Sequence, residues 1–130
     1  MATWEDVRAA VAALPGTDEP RPRSWKAHGR PLAWERPLRD RDREELGDAA
    51  WPGDVLGVRT ASPDAKDELV RAAPEVYVTT SHFDGYPAVL VRLERIDPEE
   101  LAELLVDAWL TQVPRTVARA WLEKHPEVPQ

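Results

Sequence analysis

The chain has 130 residues, a formal net charge of -7 and no cysteine. That length fits one domain over residues 1–130 with a single buried core, and the missing cysteine excludes disulfides, thiolate metal sites and cysteine nucleophiles. Met1 to Asp6 has no basic stretch followed by an apolar one, and no later apolar run could span a bilayer. A soluble cytoplasmic protein with no membrane partner is therefore expected.

Thr3 is placed to cap a first helix, with Asp6 at the capping-box position and Val7, Ala10, Val11 and Leu14 as its apolar face. Pro15-Gly16 ends it. Thr17 to Pro22 is extended, and Pro20 and Pro22 restrict it to a sheet edge or a loop. Ser24 to Arg36 reads as a hairpin in which Trp25 and Ala27 alternate with Lys26 and His28. His28-Gly29-Arg30-Pro31 forms the turn, and Leu32, Trp34 and Arg36 lie on the returning strand.

Asp40 to Ala50 predicts a short charged helix, which Trp51-Pro52-Gly53 breaks before a strand over Val55 to Thr60. Ser62-Pro63-Asp64 combines a hydroxyl cap, proline in the first turn and an acid at the positive dipole end, starting a helix that runs to about Ala73. Val76 to Thr80 and Ala88 to Glu94 predict two strands paired antiparallel around the loop Ser81 to Pro87. Asp97-Pro98-Glu99-Glu100 caps an amphipathic helix with Leu101, Leu104, Leu105, Ala108 and Trp109 inward, and Pro114 opens a last helix that stops before Pro126. This order predicts an α+β fold: a mostly antiparallel sheet covered by helices on one face.

Charge is uneven along the chain. Arg21 to Arg43 holds eight basic residues against three acidic ones, a net of +5, which leaves -12 elsewhere. Arg21, Arg23, Lys26, Arg30 and Arg36 in or beside the hairpin are candidate nucleic-acid contacts, because guanidinium groups fork phosphate oxygens. The alternative is an ordinary charged surface, and the acidic remainder opposes broad attraction to DNA.

The most distinctive stretch is His82-Phe83-Asp84-Gly85-Tyr86-Pro87 followed by Ala88-Val89-Leu90-Val91. His82, Asp84 and Tyr86 alternate, so an extended loop would aim three polar groups to one side as a ligand site. The competing reading is a structural loop, since Asp84-Gly85 favours a tight turn and the Tyr86 ring can pack. Together with Trp4 to Leu14, the Trp25 to Arg36 hairpin, Pro63 to Pro74 and Asp97 to Trp109, this stretch resembles the MmcQ/YjbR family. The resemblance implies a CyaY-like fold and a DNA-binding role through hairpins that act as wings, and it supplies no catalytic residues.

No nucleophile elbow, phosphate-binding glycine loop or metal-ligand cluster is present, so the expectation is a protein that is not an enzyme and has no cofactor or metal. The acidic ridge Glu99, Glu100, Glu103 and Asp107 could serve as a frataxin-like metal surface, but a solvated helix face accounts for it better. Of six tryptophans, Trp4, Trp109 and Trp121 are expected in the core, with Trp25 and Trp34 if the hairpin packs inward, and Trp51 exposed. The leading expectation is a DNA-binding protein using the basic hairpin. The second is a module that binds a protein or small molecule through the loop of His82, Asp84 and Tyr86.

Overall fold

Residues 1–128 are described by a computed structural model. The helices are α1 (Trp4–Ala12), α2 (Asp40–Leu46), α3 (Pro63–Ala72), α4 (Pro98–Gln112) and α5 (Arg115–Lys124). The strands are β1 (Thr17–Arg21), β2 (Ser24–Ala27), β3 (Arg30–Glu35), β4 (Val55–Arg59), β5 (Tyr77–Val78) and β6 (Ala88–Arg92). All six join one antiparallel sheet in the order β1-β2-β3-β4-β6-β5, which makes the fold a single α+β domain.

Local chemistry explains the helix starts. The Asp6 amide donates to Thr3 Oγ1 at 3.2 Å while the Thr3 amide donates to Asp6 Oδ2 at 2.8 Å, closing a reciprocal box worth about 1 kcal/mol. Ser62 Oγ accepts from the Ala65 amide at 3.1 Å, with Pro63 at the first helical position. Proline-containing β1 takes the sheet edge, where a missing ladder donor is tolerated.

One sheet face carries the main core. Val7 and Val11 of α1 and Leu101, Leu105 and Trp109 of α4 close on Trp25, Leu32, Leu56, Val58, Val89 and Val91 from the strands. The Trp109 indole N–H donates to the Pro15 carbonyl at 2.9 Å, fixing the end of α1 to α4. Trp121 of α5 adds its ring 5.4 Å from that of Trp109 and stacks on His125 at 3.9 Å.

The opposite face is not bare, which corrects the expected one-sided cover. Leu38, Val55, Val78, Phe83, Ala88 and Leu90 form a second, smaller cluster, with Trp34, Leu46, Ala50 and Trp51 packed against it. The segment between β3 and β4 folds back to cover only the β4-β6-β5 end. Trp51 is half-buried there rather than exposed, with the Arg92 guanidinium 4.2 Å from its ring centroid. The turn after Ala27 is also tighter than expected: His28 and Gly29 alone reverse the chain, with φ of 51° and 79°. Two successive positive φ values define the primed turn that suits a twisted hairpin.

Candidate nucleic-acid interface

Two bulges decide what the β1-β2-β3 end of the second face displays. In β3, Trp25 pairs with Ala33 and Lys26 with Pro31, leaving Leu32 as the extra residue. Leu32 and Ala33 both turn into the main core, the alternation changes phase, and Trp34 moves to the opposite face, across from Ser24 and Gly57. Trp34 is thus a half-buried residue of the second face, not a partner of Trp25 in the main core. In β1 the register shifts between Asp18 and Arg21, which sets Arg21 across from Ser24.

The indole of Trp34 lies on the backbone of Gly57. A Cβ built at Gly57 would sit 2.7 Å from Trp34 Cε2 and 2.8 Å from Nε1. Only glycine permits this approach in mid-strand. Around the indole, Arg21, Ser24, Lys26, Pro31 and Tyr86 line a shallow depression of about 280 Å³. Arg59, the last residue of β4, donates from Nη1 to Tyr86 Oη at 3.0 Å, and its guanidinium sits 4.9 Å from the Tyr86 ring centroid. Tyr86 remains 39% exposed, so its ring is held in place without being buried.

The five basic candidates separate. Arg21 and Lys26 reach the depression, and Arg30 is exposed at the start of β3. Arg23 has φ of 60° in the β1–β2 turn and projects to the other side, with its guanidinium 4.8 Å from the Trp4 ring centroid and Nη1 3.0 Å from Glu35 Oε2. Arg36 is interior at 6% exposure, donating from Nη1 to Asp42 Oδ2 at 3.0 Å and to the Pro37 carbonyl at 2.6 Å, above the Phe83 ring. Burial pushes the Asp42 carboxyl up, but the Arg39 amide and the Arg36 guanidinium outweigh it and hold the group below its ordinary value. Arg36 therefore anchors the covering segment rather than standing free at the surface.

The loop candidates separate as well. His82 lies in a short 3-10 turn, and Asp84 and Gly85 fill the centre of a turn closed by the Tyr86 amide donating to the Phe83 carbonyl at 3.0 Å. Asp84 has φ -57° and ψ 127° and Gly85 has φ 73°, a type II geometry that favours glycine at the second central position. The loop is coiled rather than extended, so the three side chains do not line up. His82 packs edge-on against Phe83 and lines a second depression with Trp34 and Arg39, while Asp84 lines neither. The loop is pinned by Lys66, whose buried ammonium donates to the Phe83 carbonyl at 2.7 Å, and by Glu45, which accepts from the Ser81 hydroxyl at 2.6 Å.

Trp34 and Arg59 were not among the candidates from sequence, though signals for both exist. Leu32-Ala33-Trp34 breaks strict alternation, Gly57 sits inside a strand, and continuing the β4 alternation from Gly57 reaches Arg59 on the same face. Among the described residues no group of three or more potential ligands is placed to hold a metal ion, and no helix is long and apolar enough to cross a membrane.

A family model described as YjbR matches residues 12–111, which span the hairpin, β4, the Tyr86 loop and most of α4. The chain belongs to the YjbR family. It is 49% identical over 125 residues to an uncharacterized protein of Mycobacterium bovis, covering 94% of this chain and 97% of that one. The same figures hold for an uncharacterized protein of Mycobacterium tuberculosis. The crystal structure of a Deinococcus radiodurans protein with the family domain DUF419 superposes with a TM-score of 0.62 at 22% identity, covering 99% of this chain and 91% of that one. At that identity the likeness shows the YjbR-type fold.

Proposed function

We propose that the protein is a non-enzymatic, cytoplasmic DNA-binding protein that takes a single strand across the bare end of its second sheet face. The observation that carries this reading is the gathering of Arg21, Lys26, Trp34 and Tyr86 around one depression. Lys26 and Trp34 come from the basic hairpin, Arg21 from the strand beside it and Tyr86 from its loop, so two separate lines of argument from sequence meet at one place.

The chemistry favours unpaired bases. Aromatic faces accessible on a sheet can stack on a base only when it is unstacked from its neighbour, which a single strand permits at least cost, while nearby cations take the phosphates. A depression of about 280 Å³ has room for one aromatic ring. Arg21 and Lys26 supply the phosphate charge, and Arg59 presets the Tyr86 ring so that less freedom is lost on binding. With a net charge of -7 on the whole chain, attraction is local and salt-sensitive.

Fluorescence anisotropy of a labelled twelve-residue oligo-dT, in parallel with a duplex of equal length, tests the proposal. The single strand should bind more tightly, with a log-log salt slope of about -1.4 from two phosphate contacts. Lys26→Ala should reduce that slope by about 0.7. Absence of binding at low salt overturns the reading. Equal affinity for a mononucleotide and the oligonucleotide would replace it with a small-ligand module at the same depression.

A further inference from the structure

A hollow larger than this depression lies between α3 and α4. Its volume is about 530 Å³, within the range of roughly 300–1,000 Å³ that small-molecule sites occupy. Leu69 and Ala72 of α3 face Leu104 and Ala108 of α4 across it, and alanines on both walls leave room where larger side chains would close the helices together. Two carboxylates complete the rim, Glu68 from α3 and Asp107 from α4.

We propose that this groove binds a small molecule with an apolar body and a cationic head, the head lying between Glu68 and Asp107. The electrostatics select the sign of the ligand. Partial desolvation against the groove wall and the negative charge of Glu103 raise the Asp107 carboxyl above its ordinary value, and both rim acids stay open to solvent where a cationic head can reach them. Arg59 also borders the groove, but its guanidinium is bonded to Tyr86 and stacked on that ring. A fatty anion would meet two carboxylates against one arginine, whose Nη1 is already given to Tyr86. An alkylammonium would bury its chain on Leu69 and Leu104 and offset both acids.

The test is an NMR titration of the full chain with three six-carbon probes: hexyltrimethylammonium, hexyl sulfate and hexanol. The ammonium should bind at least about tenfold more tightly than the sulfate, with amide shifts centred on α3 and α4. Asp107→Asn should lower ammonium affinity about fivefold and leave hexanol affinity unchanged, while Ala72→Leu, at an exposed helical position, should fill the groove and abolish binding of all three. Equal affinity for cation and anion, shifts centred on the sheet, or unchanged binding by Ala72→Leu would overturn the assignment. A dimer by light scattering that Ala72→Leu converts to monomer would overturn it too.

Discussion

The two ends of the second sheet face have opposite fates. At the β4-β6-β5 end, Val55, Val78, Ala88 and Leu90 are covered by Leu38, Phe83 and Trp51; at the β1-β2-β3 end, Ser24, Lys26 and the outer side of Trp34 stay accessible. The covering segment stops where its anchor sits, at the interior pair of Arg36 and Asp42 against the Phe83 ring. The bare end carries basic residues and an aromatic ring where the covered end carries aliphatic side chains. Cover follows the apolar surface, and what is left open has the composition of a contact surface.

The sharpest way to break this contrast is to remove the anchor. Arg36→Ala leaves the Asp42 carboxylate buried without its cation and should cost about 3–5 kcal/mol of stability, read from urea unfolding. A cost below about 1 kcal/mol would mean that the pair does not hold the covering segment. On the bare end the expected loss is in binding. Trp34→Ala removes the stacking surface and should weaken single-strand DNA binding by about 1–3 kcal/mol, checked by anisotropy alongside a thermal melt that confirms folding. If Arg23→Ala, on the far side of the sheet, weakens binding as much, the division between the two sides fails.

The smallest effect concerns acid. Glu19 accepts from Arg8 Nε at 2.9 Å, from the Arg23 amide at 2.9 Å and from the Trp25 indole at 3.1 Å, which ties α1 to β1 and β2. The Arg8 side chain leads in pushing the Glu19 carboxyl down to about 2 from an ordinary 4.5. Between those values the unfolded chain binds the extra proton, so stability is full above about pH 4.5 and falls as pH drops toward 2. Thermal melts across that window should show the decline, and Glu19→Gln should flatten it. Solvent screening of the half-exposed Arg8 keeps this contribution below that of the Arg36 anchor.

Much of the fold was legible because its signals are local. The Thr3 and Ser62 caps, the proline and glycine stops and the 3.6-residue pattern of α4 each depend on a few neighbouring residues. The site was less legible because its signals are not. One extra residue at Leu32 reverses the direction of Trp34, and no period-2 pattern states where a bulge will fall. The count of basic residues could not distinguish Lys26, open to the depression, from Arg36, buried against an aspartate six positions on. Trp51 sits in a proline-glycine loop that looks exposed, yet it is half-buried because Arg92, distant in sequence, crosses its ring. Tyr86 stands out in its loop, but its position depends on Arg59 from another strand.

The most direct test of the bare face as the DNA interface is an amide chemical-shift map of the labelled protein titrated with oligo-dT at low salt. The predicted result is a contiguous set of shifts at Ser24, Lys26, Trp34, Gly57 and Tyr86, with the Trp34 indole N–H among them and the α1 and α4 amides unchanged. Shifts centred on the helices, or a spectrum that DNA leaves unaltered, would contradict the account.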